Sequence, residues 1–343
     1  MKKEQMAICD TDGKYVYRLQ ELLEQRDAFP FAISVFTEPE RIAEEKIGEM
    51  AEKYRLILAG EAFYEKLQKA GVKEMQMLLL KGAEELPQVT DYIWKYQSGD
   101  RIRQQIMEFF SEHISDGFTE NEKGVVPYGH GRQKGSLIGI FSPACRELQS
   151  SFSVLLGQHL SRQANVLYLN FESFSGLSKL LEATDGRDLT DLVYYMEGGR
   201  ERLVYKLESM VGNWNGLDYV SPAFSFVDLG EIREDSWMLL LKTLQEMGHY
   251  DYILLDLSEN IHGVLNILRQ CAKVYTLSNG EEMSQTRMAH YEELLRKLDY
   301  EDVLQNTTKC DLPVFQKSLS ATEELPRSEM AVYVRELVRE EYA

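Results

Sequence analysis

Apolar residues follow two alternating rhythms along this chain. Short uninterrupted apolar runs are followed by longer stretches in which apolar positions recur three or four apart. The first reads as a buried strand and the second as one face of a helix. The chain opens on the run Gln5–Cys9, then the polar Asp10-Thr11-Asp12-Gly13, then Tyr15, Leu19, Leu22 and Leu23 at helical spacing. The same reading predicts strands at Phe31–Phe36, Leu56–Ala59, Met75–Leu80 and Tyr92–Trp94. Helices are predicted over Glu40–Tyr54, after the third strand as far as about Ala70, and over Ile102–Phe110. Strands that alternate with helices imply a mostly parallel sheet covered on both faces.

Residues 115–134 (SDGFTENEKGVVPYGHGRQK) lack periodicity and are rich in glycine and polar residues, which predicts a linker between domains 1–114 and 135–343. Beyond it the alternation restarts. Strands are predicted at Leu137–Phe141, Val166–Asn170, Tyr219-Val220, Tyr252–Asp256 and Lys273–Leu277. Helices are predicted over Ser150–Arg162, Leu189–Met196, Glu201–Met210, Ile232–Met247, Val264–Arg269 and Glu282–Leu298, with an amphipathic tail from Ser328. No internal repeat or low-complexity tract is visible. The whole is an α/β chain of two domains.

Composition narrows the function. Hydrophobic residues make up 44% of the 343, enough for two cores. The formal net charge of −18 repels phosphate backbones and anionic headgroups, so nucleic acid is not an expected partner. Cys9, Cys145, Cys271 and Cys310 form no CxxC pair and read as buried hydrophobes in a reducing compartment. The six histidines are scattered, so no metal is expected. The N-terminal apolar run is shorter than the ~7–15 residues of a signal sequence. No run reaches the ~18–20 apolar residues of a membrane span. A cytoplasmic location is the expectation. In the tail, Met330, Val334, Leu337 and Val338 share a face. Arg327, Arg335 and Arg339 are offset by Glu329, Glu336, Glu340 and Glu341, so packing on its own sheet is expected rather than direct membrane insertion.

Candidate chemistry sits at strand ends. Residues 1–113 resemble a response-regulator receiver domain, a flavodoxin-like fold. On that resemblance Asp10 and Asp12 hold the places of the Mg²⁺-binding acids after strand one, and Lys95 that of the lysine after strand five. The phosphoacceptor place reads Leu58-Ala59-Gly60-Glu61: Gly60 has no carboxylate, and Glu61 is one residue late. The strand-four place reads Leu80-Lys81-Gly82, with no hydroxyl. An aspartyl phosphate needs its nucleophile at one fixed position, so no phosphorylation is expected. Asp10 and Asp12 equally suit capping of the following helix, and Lys95 a solvated loop or a strand end.

The second domain presents Ser136–Phe141, Ser142-Pro143 and a helix, the context of a phosphate-binding loop. Three segments support a resemblance to MinD/ParA-type P-loop ATPases. These are Ile138-Gly139-Ile140-Phe141-Ser142-Pro143, Val166-Leu167-Tyr168-Leu169-Asn170-Phe171-Glu172 with Ser175-Gly176-Leu177, and Tyr250-Asp251-Tyr252-Ile253-Leu254-Leu255-Asp256. With a receiver-like domain in front, the chain resembles the TadZ/CpaE group of pilus-assembly proteins over nearly its full length. The loop itself, Ala144-Cys145-Arg146-Glu147-Leu148-Gln149-Ser150-Ser151, departs from the family pattern KGGxGKT. Ala144 replaces the signature lysine, Cys145, Arg146 and Leu148 replace glycines, and Gln149 replaces the phosphate lysine. Ser150 keeps the place of a Mg²⁺ ligand. Asn170 stands where the family has an acid; Glu172 and Asp256 remain. Each also has a plain structural reading: Asp256 a strand-end carboxylate, Ser150 a helix N-terminal hydroxyl, Glu172 a solvated loop acid, Arg146 a surface arginine.

The resemblance therefore implies a non-catalytic pseudo-ATPase that regulates or localises a pilus or secretion machine through protein contacts, with no cofactor. The alternative is a switch that still binds ATP or ADP with Mg²⁺ through backbone amides, Arg146, Gln149, Ser150, Ser151, Glu172 and Asp256, with little or no hydrolysis. Because Ala144 removes the lysine that relatives use in trans, any homodimer is expected to be independent of ATP.

Overall fold

Among the described residues, twelve short strands and the helices between them build two units, Met1–Gly129 with Glu201–Ser209, and His130–Arg200 with Met210–Ala343. The computed structural model describes residues 3–25, 29–39, 44–69, 76–82, 91–113, 134–180, 186–197, 200–313 and 325–341. The predicted linker lies outside the described residues, apart from Lys134.

The first unit runs β1 (Glu4–Cys9), α1 (Gly13–Glu24), β2 (Phe31–Phe36), α2 (Glu44–Lys53), β3 (Leu56–Gly60), α3 (Glu61–Lys69), β4 (Met77–Lys81), β5 (Tyr92–Trp94) and α4 (Gly99–His113). Its sheet has the order β2-β1-β3-β4-β5 and every pairing is parallel, a doubly wound arrangement. The strands are apolar on both sides because both sides are covered. Met6 and Ile8 of β1 and Leu56 and Leu58 of β3 join one core with Phe31 and Phe110. The intervening Ala7, Cys9, Ile57 and Ala59 join a second core with Phe63 and Leu67. This is the alternation that strand geometry dictates.

The second unit runs β6 (Ser136–Ile140), α5 (Arg146–Leu160), β7 (Val166–Asn170), α6 (Leu177–Leu180) and α7 (Leu189–Glu197). After α8 (Arg200–Met210) come β8 (Gly212–Trp214), β9 (Leu217–Tyr219), α9 (Phe226–Glu231), α10 (Glu234–Met247) and β10 (Tyr252–Asp256). The chain closes with α11 (Val264–Gln270), β11 (Lys273–Ser278), α12 (Glu282–Lys297), α13 (Glu301–Gln305), β12 (Thr307–Asp311) and α14 (Glu329–Glu341). The sheet order is β12-β11-β6-β10-β7-β9-β8, parallel except for the β8–β9 hairpin. From β6 the chain moves to β7 and β9 on one side, then returns through β10 to β11 and β12 on the other. In open parallel sheets the carboxyl ends of strands at such a reversal are where ligands bind.

Helix α8 groups with the first unit, although the sequence assigned those residues to the second domain. The Arg103 side chain is 1% exposed, and its Nη1 donates to the Glu208 carbonyl at 2.6 Å and the Glu208 carboxylate at 3.2 Å. A buried guanidinium without a counter-charge costs several kcal/mol, so residue 208 belongs where Arg103 is. Tyr205 packs against Phe110 beside it, with ring centroids 5.2 Å apart.

Three other elements differ from the sequence reading. The short strand at Tyr219-Val220 is half of a hairpin whose two-residue turn, Asn215-Gly216, has φ of 52° and 92°. Positive φ at both positions is the hairpin geometry that Asn-Gly favours. The helix predicted over Ile232–Met247 is α10, starting two residues later because Ile232 and Arg233 are extended, and the short α9 before it was not foreseen. Glu234 and Asp235 then start α10, where acids suit the amino end. Strand β12 was not foreseen. Its sequence, Thr-Thr-Lys-Cys-Asp, buries only Cys310, as an edge strand does.

The tail forms α14, whose Met330, Val334 and Val338 join the core cluster that also holds Phe152, Leu155 and Leu160 of α5. Its apolar face is thus spent within the second unit. Among the described residues no helix is long and apolar enough to cross a membrane. All four cysteines are buried and free.

Candidate functional site

Asp256 ends β10, flanked by β6 and β7. Register places it beside Ile140 on one side and Asn170 on the other. It is fully buried, and four side chains donate to it. Gln149 Nε2 reaches Oδ1 at 2.7 Å. Ser150 Oγ and Tyr168 Oη each reach Oδ2 at 2.7 Å, and Asn170 Nδ2 reaches it at 2.9 Å. Tyr168 precedes Asn170 by two residues and so shares its face of β7. Burial pushes the Asp256 carboxyl above its ordinary range, and the four donors pull against that. Burial and the neighbouring Asp256 raise the Tyr168 phenol well above its usual value, so it stays a donor.

The loop before α5 is folded into this network. Gln149 is 1% exposed and points inward. Besides Asp256, its Nε2 meets the carbonyls of Leu257 at 2.9 Å and Ile140 at 3.3 Å, and its Oε1 accepts from the Ser142 amide at 2.7 Å. The Ser142 hydroxyl donates to the Leu277 carbonyl and accepts from the amides of Cys145 at 2.9 Å and Ala144 at 3.3 Å. Three loop amides, those of Ser142, Ala144 and Cys145, are thereby satisfied within the protein. In a phosphate-binding loop such amides point at the phosphates, and a lysine reaches the β/γ oxygens. Here the residue that meets the loop amide is Gln149, a neutral side chain directed into the core.

The predicted residues therefore divide. Gln149, Ser150 and Asp256 come together, joined by Asn170 and by Tyr168, which the sequence reading passed over as a strand apolar. Its signal was present: period-two spacing from Asn170 on a strand adjoining Asp256. Ser150, the expected Mg²⁺ ligand, spends its proton on Asp256. Ser151 is half-buried on α5 and is not among the groups that reach Asp256. Glu172 donates its amide to Asn170 Oδ1 at 3.0 Å. The side chains of Arg146 and Glu147 lie outside the described residues.

In the first unit, Asp10 and Lys95 form an ion pair in which both side chains are largely buried. The other Asp10 oxygen accepts from the Asp12 amide at 2.9 Å. Asp12 itself caps α1, accepting from the Tyr15 amide at 3.1 Å. Lys95 is thus no solvated loop residue, and only Asp12 is a helix cap. A Cβ at position 60 would lie 2.7 Å from Asp10 Cγ, so the Asp10 carboxylate fills the space any side chain there would need. Glu61 is turned to an ion pair with Lys81. Among the described residues no group of three or more metal-ligating side chains converges.

No protein-family model matches the chain, and no curated protein matches it. Among solved structures it is similar to the ParA family ATPase of Chlorobium tepidum, at 17% identity and TM-score 0.44 over 58% of this chain and 92% of that one. A plasmid partition protein of Borrelia burgdorferi bound to AMPPNP is similar at 16% identity and TM-score 0.41, over 60% of this chain and 99% of that one. Cobyrinic acid a,c-diamide synthase of Mycobacterium smegmatis is similar at 10% identity and TM-score 0.44, over 60% and 92%. At such identities the likeness concerns chain topology alone.

Two outcomes follow from these geometries. Gln149→Leu keeps the volume but strands the Ser142 amide and removes a donor from Asp256. Urea unfolding followed by tryptophan fluorescence is expected to show a loss of about 2–4 kcal/mol; a loss under about 0.5 kcal/mol would mean the bridge is slack. Incubation with acetyl phosphate and Mg²⁺ should leave the intact mass unchanged, because Gly60 offers no nucleophile and Asp10 is paired with Lys95. An acid-labile adduct on Asp10 or Glu61 would contradict that assignment.

Proposed function

We propose that this protein is a non-hydrolysing regulator or localisation factor that works by protein recognition. It would be a TadZ/CpaE-like relative of the MinD/ParA ATPases with a receiver-like first domain, acting on a pilus or secretion apparatus. The observation that carries this reading is the inward-turned Gln149, which joins the Ser142 amide to Asp256 where a nucleotide-binding loop would hold both open for phosphate and Mg²⁺. Magnitudes favour it. Charge-assisted hydrogen bonds contribute about 1.5–3 kcal/mol each, and the loop has lost both lysines that would supply them. Binding phosphate would first require breaking three amide contacts already made at no such charge gain. Asn170, moreover, is a donor to Asp256 and has no carboxylate with which to orient water.

Protein recognition is supported by what the same end of the sheet exposes. Phe174 follows β7, and Phe224, Phe226 and Val227 follow β9; Phe174 and Phe224 are 84% and 94% exposed. Phe174 and Phe226 stack with centroids 5.5 Å apart, so the apolar surface is continuous between the two loops. Clustered exposed aromatics of this kind mark interaction surfaces.

The test is to supply ATP and Mg²⁺ to the purified protein and follow phosphate release together with mass by light scattering. The expected result is no release above the protein-free rate and a mass that ATP does not change. An ATP-dependent doubling of mass, or turnover that Asp256→Ala abolishes, would establish the switch reading instead.

A further inference from the structure

At the opposite, amino end of β10, α5 and α14 flank an open cavity of about 580 Å³. Tyr252 opens β10 and Asp256 closes it, so this cavity and the Gln149–Asp256 network lie at opposite ends of one strand. Leu160, Ala164, Tyr252 and Val338 supply apolar lining, and Arg335, Arg339, His159 and Gln163 supply the polar part. Its volume falls in the range of small-molecule sites, and an apolar floor with a few convergent polar groups is their usual composition.

The charge at this cavity runs against the rest of the molecule. The chain has 56 acidic residues against 38 lysines and arginines. Yet Arg335 and Arg339 stand one helical turn apart, and among the described residues neither forms an ion pair or hydrogen bond. Like charges four apart on a helix repel, while Arg339, in the last turn of α14, suits the helix dipole. Burial, then the nearby charges of Arg162 and Arg335, push the His159 imidazole below its ordinary pKa. The acceptors at the end of α5 are already used: the carbonyls of Gly157, His159 and Leu160 accept from the amides of Ser161, Arg162, Gln163 and Ala164. What remains unmet in the pocket is cationic.

We propose that this cavity binds a small organic anion, a phosphate or carboxylate carried on an apolar body of about ring size. The two guanidinium groups would hold the anionic head as charge-assisted donors. The apolar body would lie on Leu160, Ala164, Tyr252 and Val338. The same anionic chemistry occurs on soluble metabolites and on lipid headgroups, and the vesicle arm of the test separates the two. This site is independent of the nucleotide question, because it shares no residue with the Asp256 network.

The test uses 1-naphthyl phosphate as probe, titrated into the full chain by calorimetry, with inorganic phosphate and 1-naphthol as the two half-ligands. Saturable binding of the ester is expected, with each half-ligand weaker by about tenfold or more. The double variant R335A/R339A should weaken the ester by about tenfold or more without shifting the melting temperature, since both side chains are exposed. R335K/R339K, which keeps charge but loses the planar fork, should fall between. The His159 ring resonances should move on titration, locating the ester in this cavity. No saturable binding up to about 1 mM, equal affinity in the wild type and R335A/R339A, or unmoved His159 resonances would overturn the proposal. So would co-sedimentation with phosphatidylglycerol vesicles in the absence of ester binding, which would assign the arginines to a lipid surface.

Discussion

A carboxylate buried on the central strands of a parallel sheet must be given donors, and in the second unit that requirement organises everything around it. Asp256 receives four, from two elements: α5 (Gln149 and Ser150) and β7 (Tyr168 and Asn170). Leaving such a group short costs several kcal/mol, a large part of the stability of any domain. Gln149 is the link between this network and the loop, because its oxygen faces the Ser142 amide while its nitrogen faces Asp256. A lysine at that place has no acceptor to offer Ser142. The glutamine at position 149 and the inward fold of the loop are thus one feature seen twice, once in chemistry and once in conformation.

The first unit solves an analogous problem in the same way. Acids gathered at the carboxyl end of a sheet need a cation, a metal or a proton. Here Lys95 supplies the charge to Asp10 and the Asp12 amide supplies a hydrogen bond. Gly60 is part of the solution rather than a mere loss, since the space beside it is taken by the Asp10 carboxylate. At both strand ends, groups suited to holding a phosphate or a metal are engaged with one another.

Much of this was legible in the sequence, and the reasons differ by element. Buried strands such as Leu56–Gly60, Val166–Asn170 and Tyr252–Asp256 declare themselves, because a run covered on both faces is apolar through its middle. Edge elements do not: Thr307–Asp311 buries one side chain, and its sequence shows no apolar run. The Asn215-Gly216 turn was readable from its dipeptide, yet its flanking strands of three residues each fall below any periodicity. At the site, the lack of lysine and glycine over residues 144–151 is plain in the sequence, and so is the position of Asp256. That Gln149 turns inward is not, because a glutamine after a loop carries no sign of its direction. Tyr168 was hidden for a related reason, since tyrosine in a strand reads as apolar until its hydroxyl is seen to have a carboxylate to meet. The grouping of Glu201–Ser209 with the first unit depends on Arg103, nearly a hundred residues away, and no local pattern carries such a pairing.

The account turns on whether the loop is closed to phosphate. Calorimetric titration of the full-length protein with ATP and Mg²⁺ measures that directly, with a variant carrying Ala144→Lys, Cys145→Gly, Arg146→Gly, Leu148→Gly and Gln149→Lys beside it. The wild type is expected to show no saturable binding at the Asp256 end up to about 1 mM, and the five-substitution variant to bind more tightly by about tenfold or more. Binding by the wild type at about 10 μM or tighter, lost on Asp256→Ala, would contradict it.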